Sequence, residues 1–223
     1  MPTARAWTVV VAVKPLRRAK SRLAPLPPTR RAQLALAMAL DTIAAARTCP
    51  LVAAVVVVTS DATVATEAAR LGASVTPDEP AQGLNAAFCR GLQSLSADAA
   101  AALLMGDLPA LRCDDVERAL SEVDAIIDGV GVVPDAHGTG STMLASRRAQ
   151  LLRPAFGPAS FARHVDAGAI AIQRADINGL RQDVDEVADI DAVLRLGVGT
   201  HTAAVLAAAG YENRTAYESR PRP

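Results

Sequence analysis

The sequence predicts a three-layer α/β fold, a mostly parallel sheet with helices on both faces. Apolar runs of strand length recur at Trp7–Val13 (WTVVVAV), Val52–Thr59 (VAAVVVVT) and Ala100–Met105 (AALLM after Ala100) without polar alternation, the pattern of strands covered on both faces. Between them lie segments with apolar residues at helical spacing. Two strand–helix steps fit within about 65 residues, which implies right-handed crossovers and parallel pairing.

The elements follow in order. Trp7–Val13 is read as a first, central strand, running into Lys14-Pro15-Leu16-Arg17-Arg18-Ala19-Lys20-Ser21-Arg22, with five cations in nine residues. This is either a solvated basic loop or a place where a polyphosphate is neutralised. Thr29 is expected to cap a helix reaching Thr48. After the Val52–Thr59 strand, Ser60-Asp61 opens a helix stopped by Gly72, and Ala73–Val75 makes a short strand. The polar loop Pro77–Asn85 feeds a helix over Leu84–Leu95; Gln82, Gly83 and Asn85 there either form an ordinary cap or read a base edge or ribose. The run Ala100–Pro109 ends at Gly106 and delivers Asp107 to a strand's carboxyl end, where α/β sheets bind ligands. A carboxylate there holds a cation or caps the next turn. A helix over Asp114–Val123 and a strand over Gly131–Pro134 follow. Asp135–Thr142 (DAHGTGST) is a candidate anion nest, Met143–Ser146 a short strand, and Phe156–His164 puts Gly157 and Ser160 at a helix start, where anions or a simple cap fit. Ala169–Gln173 is read as a strand. In Leu180–Asp191, Asp183 and Asp185 flank Val184, so an extended backbone aims both carboxylates to one face, and two adjacent acids repel unless a cation lies between them. Helices over Ile190–Leu196 and Thr200–Ala209 close the fold.

At 223 residues the chain suits one domain over residues 1–210, with 211–223 a loose polar tail. Equal numbers of acidic and basic residues, 23 each, give no broad footprint for nucleic acid. Cys49, Cys89 and Cys113 lack any C-x-x-C spacing and read as small buried hydrophobes in a reduced compartment. The first apolar run is too short for a membrane span or signal peptide, so a soluble cytoplasmic protein is expected. No P-loop and no G-x-G-x-x-G follows the first strand. His137, His164 and His201 stand apart and read as structural or supporting groups rather than general bases.

Strand-end and paired carboxylates, a cationic loop and two oxyanion nests suit phosphoryl or nucleotidyl transfer assisted by Mg²⁺. In order, VVAVKPLRRAKSRLAP, DEPAQGLNAA, MGDLPAL, GTGST, FGPASFARH and QDVDEVADI resemble the phospholactate and phosphoenolpyruvate guanylyltransferases of deazaflavin coenzyme (F-420) biosynthesis, over residues from about Thr8 to Leu196. The resemblance implies a nucleotide-diphospho-sugar transferase type of fold and the joining of GTP to a small phosphorylated three-carbon acid with release of pyrophosphate. It implies that Asp107, Asp183 and Asp185 hold Mg²⁺, with Lys20 beside them in catalysis. Ser141, Gly157 and Ser160 would hold the acceptor acid; the family usually has Thr where this chain has Ser141, and a one-residue difference in the spacing from GTGST to FGP makes Thr142 the alternative in that role. Lys14, Lys20 and Arg22 would hold the GTP phosphates, with Gln82, Gly83 and Asn85 near the base. Hand-off of product to the next pathway enzyme is a further expectation. Other Mg-dependent nucleotidyltransferases, for molybdopterin or a sugar phosphate, are the rival enzymes; a glycine-rich signature after strand one would be expected of them and is missing. A non-catalytic nucleotide-binding module is expected to lose one of the acids, and all three are present.

Overall fold

The computed structural model describes residues 6–18, 20, 23 and 26–211. Arg22, expected to hold a GTP phosphate, and residues 212–223 of the expected tail lie outside the described residues.

The described residues form one seven-stranded sheet. Its strands are β1 (Trp7–Ala12), β2 (Val52–Thr59), β3 (Ser74–Pro77), β4 (Ala101–Met105), β5 (Gly131–Pro134), β6 (Ser141–Ser146) and β7 (Ile170–Ala171). The helices are α1 (Pro28–Thr48), α2 (Ala62–Arg70), α3 (Leu84–Leu92), α4 (Cys113–Asp124), α5 (Ser160–Asp166), α6 (Asn178–Arg181), α7 (Val187–Leu196) and α8 (Thr200–Ala208). Strand order is β3-β2-β1-β4-β6-β5-β7. β1 is interior, paired in parallel with β2 on one side and β4 on the other. Only β6 runs against its neighbours, antiparallel to both β4 and β5.

That reversal positions the site. The carboxyl ends of β1, β2, β3, β4 and β5 reach one edge of the sheet, and β6 brings its beginning, Ser141, to the same edge. The strand expected over Met143–Ser146 starts two residues earlier, at Ser141, which pairs with Pro134.

Alternation along the strands divides the core. Val9 and Val11 of β1 and Val55 and Val57 of β2 pack with α1, α2 and α4 on one face. Val10, Ala12, Val56, Val58, Leu103, Val132 and Leu144 face α3 and the Phe156 segment on the other. A third apolar cluster joins Leu34 and Met38 of α1 to Ile190 and Val193 of α7 and Leu206 of α8. Inward side chains that occupy both faces explain why these strands read as unbroken apolar runs.

Several local expectations need correction. Thr29 does not cap α1: Pro28 is its first residue, and its fixed φ and missing N–H suit that position. Cys89 is exposed and Cys113 half-buried, so only Cys49 behaves as a core hydrophobe. Helix α6 has too few residues to show a helical period, so no sequence signal marked it. Asp61, by contrast, caps α2 by accepting from the N–H groups of Thr63 and Val64, as its position before the helix suggested.

Candidate active site

A cleft of about 490 Å³ opens at the carboxyl edge of the sheet, lined by residues that include Lys14, Lys20, Asp107, Asp135, Ser141, Gly157, Ser160, Asp183 and Asp185.

The acidic side of the cleft is assembled from two segments. Asp107 follows β4, and the next residue is fixed because the buried Thr42 hydroxyl of α1 accepts from the Leu108 N–H at 3.1 Å. The second segment is extended: Val184 is buried while its N–H donates to the Asp107 carbonyl at 3.3 Å. With Val184 turned into the core, Asp183 and Asp185 turn out of it. Asp189 of α7 accepts from the N–H groups of Asp185 and Glu186 at 2.8 and 2.7 Å, which locks the end of this segment. One carboxylate oxygen from each of Asp107, Asp183 and Asp185 lies within 4.8 Å of the others.

Lys20 enters from the loop after β1. Its ammonium donates to Asp107 at 2.5 Å and to Asp185 at 3.3 Å. Burial alone would lower its pKa; the charges of Asp107 and Asp185 outweigh that, and the net position is above the ordinary value. Lys20 has φ of 55°, a left-handed conformation that costs a non-glycine residue on the order of 1 kcal/mol, so the loop spends backbone strain to place this cation.

One ammonium does not neutralise the cluster. Asp183 is pushed up to about 7 by burial first, then by the charges of Asp107, Asp185 and Asp135, with Lys20 pulling the other way. Asp107 Oδ1 is buried without a hydrogen-bond partner. An orphaned carboxylate oxygen, an all-oxygen donor set and a surplus of negative charge fit a hard divalent cation. Asp107, Asp183 and Asp185 are the residues that could hold it.

The opposite side of the cleft comes from β6 and the 155–160 segment. Gly157 has φ of 124°, a conformation that favours glycine. The first helical residue of α5 is Ser160; the capping position belongs to Ala159, which has no capping side chain. Ser141 and Ser160 both line the cleft although each residue is nearly buried. Thr142 is not among the lining residues; neighbouring strand residues point to opposite faces, and its hydroxyl is buried without a partner.

Two expected features are used differently. The Asp135–Gly140 turn does not present an empty nest: Asp135 accepts from the N–H groups of Thr139 and Gly140 at 2.9 and 2.7 Å. A Cβ on Gly140 would lie 2.4 Å from Asp135 Oδ2, so glycine is what permits the loop to close on its own carboxylate. Nor is the Asn85 amide available to read a base, since Asn85 donates to the Phe156 carbonyl at 3.1 Å and accepts from the Phe156 N–H at 2.8 Å. Gln82 and Gly83 are exposed and do not line the cleft. Lys14 does line it and is exposed.

Asp135 was not singled out from the sequence as a lining residue; its place directly after β5, matching Asp107 after β4, was the available signal. His164 was read only as a supporting group. It is buried, its Nδ1 lies 3.0 Å from Ser141 Oγ, and its Nε2 accepts from the Ala155 N–H at 3.0 Å.

A carboxylate cluster at the carboxyl edge of a mostly parallel sheet, facing a polar pocket and flanked by cations, defines a nucleotidyltransferase of the nucleotide-diphospho-sugar transferase fold. The fold is shared with a crystal structure from Desulfovibrio desulfuricans G20 assigned to those transferases, with TM-score 0.69 and 16% identity over 94% of this chain and 97% of that one. A family model described as "Guanylyl transferase CofC like" matches residues 7–222, and the chain belongs to that family. Among its relatives, the phosphoenolpyruvate guanylyltransferase of Geodermatophilus obscurus is 46% identical over 215 residues, covering 94% of this chain and 98% of that protein. The protein of the same name from Streptomyces coelicolor is 46% identical over 205 residues, covering 90% and 96%.

Proposed function

We propose that this protein transfers the guanylyl group of GTP to phosphoenolpyruvate, releasing pyrophosphate and forming a guanosine diphosphate-linked three-carbon acid for deazaflavin coenzyme biosynthesis. The observation that carries this is the cluster of Asp107, Asp183 and Asp185 within 4.8 Å, facing Ser141, Gly157 and Ser160 across one cleft. Phosphoenolpyruvate is favoured over phospholactate as acceptor because both relatives above carry that substrate in their names.

In this reaction an oxygen of the acceptor's phosphate attacks the α-phosphorus of GTP, a new P–O–P bond forms, and the bond to the β-phosphate breaks. The attacking phosphate is already anionic at neutral pH, so no protein nucleophile or general base is needed; the protein orients reactants and offsets charge. Mg²⁺ held by Asp107, Asp183 and Asp185 would supply charge neutralisation at the phosphate oxygens. Lys14 and Lys20 approach from the loop after β1 and serve the triphosphate. Ser141, Ser160 and the Gly157 backbone hold the acceptor's phosphate and carboxylate.

The test is pyrophosphate release by purified protein with GTP and Mg²⁺, supplied in parallel with phosphoenolpyruvate, phospholactate or neither. Release that requires phosphoenolpyruvate supports the assignment; a faster rate with phospholactate would reassign the acceptor.

A further inference from the structure

His164 is held by partners on both ring nitrogens. The Ala155 N–H can only donate, and it lies 3.0 Å from Nε2, so Nε2 is the unprotonated acceptor. In a neutral ring the proton then sits on Nδ1, 3.0 Å from Ser141 Oγ. Burial, assisted by the Arg163 charge, holds the ring's pKa down to about 4, so it is neutral at physiological pH.

The surroundings leave this arrangement little freedom. Asn85 grips both backbone groups of Phe156, and the Arg163 guanidinium donates to the Ala155 carbonyl. The Phe156 ring meets the His164 ring edge-on with centroids 5.1 Å apart, and Phe88 packs on Phe156 at 4.7 Å. The Ala155 N–H is thereby fixed in direction, and with it the tautomer of His164.

We propose that His164 is a positioning residue for acceptor binding: by donating Nδ1–H to Ser141 Oγ it occupies the acceptor side of that hydroxyl and leaves the Ser141 proton aimed at an anionic oxygen in the cleft. This rests on Ser141 contacting the acceptor, as proposed above. A serine without such a neighbour can rotate its proton away and present a lone pair to the anion; here that choice is removed. A hydroxyl that accepts one hydrogen bond also donates a stronger one. The same serine is thus converted into a dedicated anion donor by a residue 23 positions away that does not itself line the cleft.

Three substitutions separate this from a packing role. His164→Asn keeps an N–H near the Nδ1 position, His164→Gln keeps an acceptor near Nε2, and His164→Phe keeps only the ring. Steady-state KM values for phosphoenolpyruvate and GTP and the melting temperature are measured for each, beside Ser141→Ala. The Gln and Phe variants are expected to raise the phosphoenolpyruvate KM about five- to tenfold with the GTP KM unchanged, while Asn stays within about twofold. Ser141→Ala with a raised acceptor KM, but all three His164 variants near the parent, would overturn the positioning role while leaving the acceptor site intact. An unchanged KM for Ser141→Ala would overturn the acceptor-site assignment itself. Independently of activity, ¹⁵N NMR of the His164 ring in the intact protein should show Nδ1 protonated and Nε2 bare; the opposite tautomer would overturn the inference.

Discussion

The cluster of three acids should make this protein's stability depend on pH and on divalent cation in a direction that its composition does not suggest. Asp183 lies at about 7 in the folded chain against an ordinary 3.8, so between these values the folded state holds a proton that the unfolded chain has released. Stability without metal therefore falls as pH rises through that window. At about 1.4 kcal/mol per pH unit the upper bound is about 4 kcal/mol, reduced by solvent screening at the cleft mouth. His164 acts in the opposite sense: its value of about 4 against 6.5 means that stability is lost as pH falls below 6.5, by up to about 3 kcal/mol. The two slopes oppose each other below pH 6.5, so the informative quantity is the difference between the parent and Asp183→Asn. In metal-free buffer at pH 8, Asp183→Asn should melt higher than the parent by several degrees, on the order of 10 °C at most for a chain of this size. Saturating Mg²⁺ should raise the parent's melting temperature more at pH 8 than at pH 5.5, because proton and cation compete for the same carboxylate, and should barely move the variant. Differential scanning calorimetry of parent and variant, with EDTA or Mg²⁺ at each pH, provides these comparisons. An Asp183→Asn variant that melts at or below the parent at pH 8 and still responds to Mg²⁺ would refute the assignment of these acids to a cation.

Other consequences follow from particular contacts. Asp107→Asn and Asp185→Asn should each lower kcat/KM on the order of 100-fold or more, and the double variant should lose much less than the product, since members of one cation site fail together; a parent-like rate for Asp107→Asn at saturating Mg²⁺ would contradict this. Lys20→Ala should raise the GTP KM about tenfold while the phosphoenolpyruvate KM barely moves, read from initial rates with each substrate varied. Gly91→Ala should destabilise by about 1–3 kcal/mol in chemical denaturation, although alanine favours helices, because the added Cβ would sit 2.4 Å from Val10 Cγ1 and 3.0 Å from Val58 Cγ2.

What could be read from the sequence was whatever depended on local pattern. The runs at Trp7–Ala12, Val52–Thr59 and Ala101–Met105 declared buried strands because both faces are covered, and alternation alone put Asp183 and Asp185 on one side of Val184. What stayed hidden depended on pairing between distant segments. The antiparallel direction of β6 cannot be inferred from STMLAS, yet it brings Ser141 to the cleft and turns Thr142 away. The glycines of DAHGTG suggested an open nest; only the fold shows Asp135 filling it. Asn85 had the right chemistry for a base edge and spends it on Phe156 instead, 71 residues away. His164 looked isolated because its partners, Ser141 and Ala155, belong to two different segments.

The most direct measurement is ³¹P NMR of a reaction containing GTP, phosphoenolpyruvate and Mg²⁺, with an ATP reaction and Asp107→Asn protein alongside. Guanylyl transfer to the acceptor should give two mutually coupled diphosphate resonances together with pyrophosphate, from GTP well ahead of ATP, and neither with the variant. Consumption of GTP without a coupled diphosphate that carries the enol acid, or equal product from the Asp107→Asn protein, would contradict it.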